Sequence, residues 1–261
     1  MSVFVISAAA YADEPAGKFK KTIKVATSNV EHEKTLMAAK EEMEKSGYTL
    51  EVKVFNDYTA PNMAVHEGTM DANYFQHEEY LRQFNKAKGT NLECGRRLYL
   101  ITTGIYSNKM KSLDQLKNGA RVAIFNDTTN RELALRFLQH LGLIKLKPGA
   151  KAPTQLDIVE NKKNLKIIEM EGFNIVRSLD DVDMAVMAAS HMAQAGKDPR
   201  SAIAYFTSKE NDIRALVLTV RKGDMQTEWA QALEKALMSK KVQKVVAETS
   251  KGARTPAFLK Q

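Results

Sequence analysis

The alternation of short apolar strands with amphipathic helices, run through twice, restricts the fold of this chain more than any other feature. "KTIKVAT" (21–27) alternates and ends in small polar residues; "EHEKTLMAAKEEMEKSG" then carries Leu36, Met37 and Met43 among charges and stops at Gly47. This is the pattern of a strand followed by a helix with glycine just past its end. "YTLEVKVFND" reads as a second strand, "APNMAVHEG" as a short helix with Pro61 in its first turn, and "MDANYF" as a third strand edge. Strands separated by helices are joined by crossovers, so the expected sheet is largely parallel and covered by helices.

"LYLITTGIYSN" (98–108) predicts one further strand, after which the pattern begins again. "SLDQLKNG" reads as a short helix, 120–125 as a strand, and "TTNRELALRFLQHLGLI" as a helix whose apolar face runs through Leu133, Phe137, Leu138 and Leu141. "LKIIEME", "VDMAVMAA", "AIAYF" and "RALVLTVRKG" are extended candidates, and "TEWAQALEKALMSKKVQKVVAETS" is helical. The expected class is therefore α/β, with two parallel or mixed-sheet lobes: residues 20–107 with 206–261 as lobe I, and 108–205 inserted as lobe II. Such a plan puts a cleft between the lobes, at the carboxyl ends of the strands, where open α/β sheets bind ligands.

At 261 residues, 44% hydrophobic and 27% charged, the chain can bury a large core, and no run approaches the roughly 20 apolar residues a spanning helix needs. The first residues, "MSVFVISAAAYADEP", differ from the rest. An apolar run ending in Ala10-Tyr11-Ala12 is expected to be a signal-peptide remnant (1–12), with Asp13 as the mature start, although the basic n-region is missing. A short N-terminal apolar strand is the alternative. The single cysteine, Cys94, suits an exported protein that needs no disulfide framework. No cysteine follows the leader to carry a lipid. The net charge of +8 is spread along the chain without a basic block or a nucleic-acid-binding motif, so no nucleic-acid partner is expected.

Motifs that carry chemistry are few. There is no G-x-G-x-x-G, no phosphate-binding P-loop, no G-x-S-x-G and no H-E-x-x-H, and the five histidines are scattered. Neither catalytic residues, nor a metal site, nor a cofactor is called for. The densest stretch is "DANYFQHEEYL" (71–81), with three aromatic rings, a histidine and an asparagine. Tyr74, Phe75, His77 and Tyr80 could wall a small-molecule pocket, apolar with a few hydrogen-bonding groups. Equally, such rings could be core.

"FNDYTAPNMAVHEGTMDANYFQHEEYL", "FNKAKGTNL" (84–92), "GIYSNKMKSLDQLKNGARVAIFND" (104–127), "HLGLIKL" and "DIVENKKNLKIIEME" together resemble the MetQ/NlpA family of substrate-binding proteins of ABC importers. The resemblance runs in order over nearly the whole chain beyond the leader. It implies a bilobed periplasmic-binding-protein (type II) fold that closes on a free amino acid, usually methionine. It also implies a monomer outside the cytoplasm that delivers its ligand to a membrane permease with a cytoplasmic ATPase. Tyr58, Tyr74, Phe75, His77 and Tyr80 match the family's first-lobe wall around the ligand side chain. Asn130 matches an asparagine in a loop at a helix N-terminus, a setting that suits a carboxylate.

Departures from the family pattern are specific. Where the family has an arginine expected to clamp the ligand carboxylate, this chain has Leu133, and Arg131 is the nearby cation. Ala188, Ser190 and His191 stand where the family has two asparagines and an aromatic ring, and Leu216 replaces a further asparagine. Two readings of the transport role follow: a methionine-type ligand, or another small molecule because the polar contacts have changed. An enzyme on this fold is the third reading. It lacks an activated nucleophile beside a base, so the chain is read as non-enzymatic.

Overall fold

The computed structural model describes residues 21–206 and 214–259; the expected signal-peptide remnant, 1–12, lies outside the described residues. The first half of the chain builds β1 (Lys21–Thr27), α1 (Val30–Lys45), β2 (Tyr48–Val54), α2 (Ala60–His66), β3 (Ala72–His77), α3 (Glu78–Lys88) and β4 (Glu93–Ile101). Then follow β5 (Thr103–Tyr106), β6 (Arg121–Phe125), α4 (Thr128–His140), β7 (Lys145–Leu146), β8 (Ile158–Glu160), β9 (Lys166–Met170), α5 (Gly172–Ile175), β10 (Met184–Ala188), α6 (Ala189–Gln194) and β11 (Ala204–Tyr205). The chain closes with β12 (Ala215–Val220), α7 (Glu228–Leu237), α8 (Lys240–Thr249) and β13 (Arg254–Pro256).

Eleven of these strands form two curled mixed sheets, one per lobe, in the orders β13-β4-β12-β3-β1-β2 and β11-β5-β10-β6-β9, and β7 and β8 pair as a separate two-stranded antiparallel sheet. Each of the two large sheets repeats one plan. Three parallel strands (β2, β1, β3 in lobe I; β9, β6, β10 in lobe II) are followed by one antiparallel strand that has just arrived from the other lobe, β12 or β5. Crossover helices in each half make the parallel part, as the alternation requires. The "LYLITTGIYSN" segment is not one strand. β4 ends at Ile101 in the first sheet and β5 begins at Thr103 in the second, so Thr102 alone crosses between lobes. The expected division at 107/108 therefore places Thr103–Tyr106 on the wrong side: β5 hydrogen-bonds β10 and β11 of lobe II. A continuous β-rich run carries no local signal for a change of sheet, because both halves need the same extended backbone.

Helix ends obey local chemistry. Asn29 caps α1 by accepting from His32 N, Asp127 caps α4 by accepting from Asn130 N, and α3 ends at Gly89 with φ +67°. The C-terminal helical region divides at Ser239, which caps α8 by accepting from Val242 N. The lobe I core packs α1, α7 and α8 on the sheet through Leu36, Met43, Tyr74, Leu218, Leu233 and Val246. Lobe II has a core on each face of its sheet, one around Phe137 and Ile124, the other around Tyr106 and Met187. No helix among the described residues is long and apolar enough to cross a membrane.

One irregularity positions the cleft. Leu216 to Leu218 on β12 spans His77 to Tyr74 on β3, so β3 holds one more residue than its partner in that interval. Such a bulge re-aims side chains. Tyr74 stays in the core with α1, while Phe75, Gln76 and His77 reach the cleft. Gln76 Nε2 also bonds Asn62 Oδ1 (2.5 Å), Asn73 Oδ1 (2.9 Å) and Thr219 Oγ1 (3.2 Å), a buried polar network that fixes the end of β3.

Candidate ligand-binding site

The cleft between the lobes encloses about 850 Å³ of space, its open mouth included. Its wall is drawn from strand carboxyl ends, as the fold demands: Ser28 after β1, His77 at the end of β3, Phe125 at the end of β6 and Ala188 at the end of β10. Thr102 forms part of the floor. Its hydroxyl donates to Ala253 O and its carbonyl accepts from Ala189 N at 2.9 Å, so the crossing residue is tied to both lobes.

One side of the cleft is aromatic. Tyr58 stacks on Phe75 (6.0 Å between centroids, 15° between planes) and meets Tyr80 edge-on at 6.1 Å. From lobe II, Phe173 lies 4.8 Å from the Tyr58 ring. The Tyr58 hydroxyl is 2.9 Å from His191 Nε2, a bond between lobes. His191 Nδ1 faces Ala188 O at 3.2 Å; a carbonyl can only accept, so Nδ1 carries the proton and Nε2 accepts from Tyr58. His191 thus latches onto the wall of the opposite lobe.

All three histidines of the cleft are held neutral. Burial lowers His77 to about 3, with the Arg214 guanidinium adding to the effect, and lowers His191 to about 4 against the pull of Ala188 O and Asp127. Burial, then Arg254, takes His32 well below its ordinary value. The His77 tautomer is opposite to that of His191. Its Nδ1 accepts the backbone N–H of Tyr80 (3.1 Å) as the cap of α3, which leaves the ring proton on Nε2. His32 Nε2 lies 3.4 Å from the Asn29 amide nitrogen, and its Nδ1 has no hydrogen-bond partner among the described residues.

Two arginines line the cleft, and among the described residues no aspartate or glutamate does. Arg254 is buried against Glu31, with Nη2–Oε1 at 2.8 Å and Nε–Oε1 at 3.0 Å. Burial pushes the Glu31 carboxyl upward while Arg254 pulls it down. Arg214, also buried, donates from Nη1 to Thr129 O in the first turn of α4 at 3.3 Å. No group of three or more histidine, cysteine, aspartate or glutamate side chains that could hold a metal occurs among the described residues.

Of the residues singled out in the sequence, Tyr58, Phe75, His77, Tyr80, Asn130 and Ser190 line this cleft. Two do not. Tyr74 is 0% exposed within the lobe I core, because the β3 bulge comes after it. Arg131 pairs with Glu169 (3.3 Å) and Pro153 O (3.3 Å), one helix position away from the face that Asn130 presents. The Asn130 amide is bonded to both oxygens of Asp127, at 3.1 and 2.9 Å, so an internal carboxylate already occupies that helix N-terminus. Arg214 stands just before β12 and Arg254 opens β13, and nothing local in the sequence distinguishes such an arginine from a solvated one.

The family model described as NlpA lipoprotein matches residues 23–258. The D-methionine-binding lipoprotein MetQ of Salmonella typhi is 43% identical over 186 residues, which are 70% of this chain and 69% of that protein. A nutrient binding protein from Burkholderia cenocepacia, solved bound to methionine, is 37% identical with a TM-score of 0.83, over 90% of this chain and 99% of that one. A periplasmic substrate-binding protein of an ABC transporter from Coxiella burnetii is 31% identical with a TM-score of 0.85, again over 90% and 99%.

Proposed function

The chain belongs to the NlpA lipoprotein family, and from that premise we propose that it is an extracytoplasmic solute-binding protein of an ABC importer. It closes two lobes on a methionine-type ligand and hands it, unchanged, as a monomer to a membrane permease driven by a cytoplasmic ATPase. The observation that carries this reading is the interlobe cleft with the aromatic wall of Tyr58, Phe75 and Tyr80. Flat rings suit the flexible, polarisable thioether of methionine, and sulfur–aromatic contacts are worth about 0.3–1.5 kcal/mol each. No serine, threonine or cysteine with a positioned base faces the cleft among the described residues, which favours capture over chemistry.

A second reading keeps the transport role and changes the ligand. It is supported by Leu133, Ala188 and Leu216, all on the cleft wall, where hydrogen-bonding side chains would otherwise hold the polar end of an amino acid. Calorimetry with L- and D-methionine, alongside mass spectrometry of any molecule released on denaturing the purified protein, separates the two. Methionine binding supports the first reading; a different co-purifying molecule and no methionine binding supports the second.

Lobe closure itself can be tested at Gly172. A Cβ at this position would lie 2.8 Å from both the Tyr58 and Phe125 rings and 2.9 Å from the Tyr58 hydroxyl oxygen, so Gly172→Ala must displace the Tyr58 ring from lobe II. Overpacking of this kind costs about 1–3 kcal/mol, which at the closed interface converts to roughly 5- to 150-fold weaker ligand binding. The unliganded protein, able to open, should keep its melting temperature. Unchanged affinity in Gly172→Ala would remove the Tyr58–Gly172 contact from the closure step.

A further inference from the structure

Tyr58 is fixed by lobe I and gripped by lobe II. On its own lobe the backbone around it is tied down: Asp57 Oδ1 accepts from the N–H groups of Thr59 (2.7 Å) and Ala60 (2.6 Å), and the Tyr80 hydroxyl donates to Tyr58 O at 3.4 Å. An aspartate turn of this kind presents the side chain it encloses with little backbone freedom left to lose. Phe75, also from lobe I, backs the ring.

Lobe II supplies a slot for that ring. Gly172 approaches it so closely that a Cβ would lie 2.8 Å away, which only a residue without a side chain permits. Phe173 lies against the ring, and Phe125 packs edge-on to His191 with centroids 5.4 Å apart. Within this slot the Tyr58 hydroxyl donates to His191 Nε2, and burial pushes its titration upward, so the hydroxyl keeps the proton it donates. His191 is itself buried and oriented by Nδ1–H on Ala188 O, so the acceptor is set within lobe II alone. Each of these contacts is made by the chain's own side chains, and the Tyr58 hydroxyl is spent on the opposite lobe.

We propose that Tyr58 is a bolt that holds the lobes shut before ligand arrives, so that the closed form is the resting state and each capture or release begins with withdrawal of this side chain from lobe II. This rests on the solute-binding reading above for what the bolt admits, and not for the bolt itself. Ligand then enters through the fraction of molecules that stand open, which slows capture.

The test is small-angle X-ray scattering of the full chain, unfolded in urea to release any bound molecule, refolded, and measured with and without L-methionine. The wild type is expected to be equally compact in both. Tyr58→Phe keeps the ring and leaves His191 Nε2 without a donor, while His191→Leu leaves the Tyr58 hydroxyl without an acceptor. Each should shift the open-to-closed ratio by about 5- to 150-fold, as an unpaired buried polar atom implies, and expand the ligand-free protein. The double variant Tyr58→Phe with His191→Leu removes both ends of the bond and is expected to be more compact than either single variant.

A refolded wild type that is expanded, and that closes only when L-methionine is added, overturns the bolt and leaves the transport reading standing. Single variants as compact as the wild type, or a double variant more expanded than both, overturn it as well, because packing rather than this bond would then hold the lobes. Failure of L-methionine to bind by calorimetry counts against that ligand, and the ligand-free scattering still decides the bolt. Should His191→Leu not refold, Tyr58→Phe, which keeps the ring in its slot, decides alone.

Discussion

Lowering the pH from 7.5 to 5 is expected to remove on the order of 4–6 kcal/mol of stability, a large part of what holds a typical domain folded. The cause is three buried imidazoles, His32, His77 and His191, each with a folded pKa depressed from its ordinary 6.5. Below pH 6.5 the unfolded chain takes up protons that the folded chain refuses, so stability rises with pH, is complete above about pH 7, and falls as the solution is acidified. At pH 5 each histidine that stays neutral contributes a loss of about 2 kcal/mol. Glu31, whose carboxyl burial pushes upward, works in the other direction and offsets part of it. The folded rings themselves charge only near pH 4 for His191 and pH 3 for His77, so the loss continues through that window. Urea denaturation at half-unit pH steps measures the slope; a flat profile between 7.5 and 5 would mean that the rings take protons without unfolding.

Tyr74→Ala is expected to cost about 3–5 kcal/mol, the range for truncating a large ring in a packed core. Tyr74 is 0% exposed, packs with α1 in lobe I, and meets His32 edge-on with centroids 5.6 Å apart. Its neighbour supplies the contrast. Phe75, on the cleft side of the bulge, stacks on Tyr58, and Phe75→Ala should weaken ligand capture more than it lowers the denaturation midpoint. Equal destabilisation by the two truncations would place Phe75 in the core as well. Guanidinium denaturation of both variants beside calorimetry decides the point.

The pair also marks how far the sequence could be read. The βα grammar predicted both lobes, the helices up to Gly47 and from Thr128, and the cleft, because period and punctuation are local properties. Within "DANYFQH" the alternation was legible, but the bulge that sends Phe75 and His77 to the cleft and leaves Tyr74 behind depends on pairing with β12, some 140 residues later. Thr102 was missed as the crossing for a related reason: nothing in "LITTGI" distinguishes leaving a sheet from continuing in it. Arg131 drew attention by proximity in sequence to Leu133. The structure spends it on Glu169 and brings Arg214 to the same helix turn from far along the chain. Charges that act through long-range placement leave no periodic trace.

The exchange of one antiparallel strand between lobes also governs the order in which the molecule can be assembled. β12 sits between β3 and β4, so until Ala215–Val220 has been made, the first sheet exists only as separate pieces, β2-β1-β3 and β4. A nascent chain must finish most of lobe II before the first-made lobe can close, and the sheet edge on β3 stays unpaired through that interval. Loop closure over such a separation slows folding far more than it weakens the finished product. The architecture that carries the chain across the cleft floor at Thr102 thereby delays completion of the N-terminal sheet until after lobe II has been made.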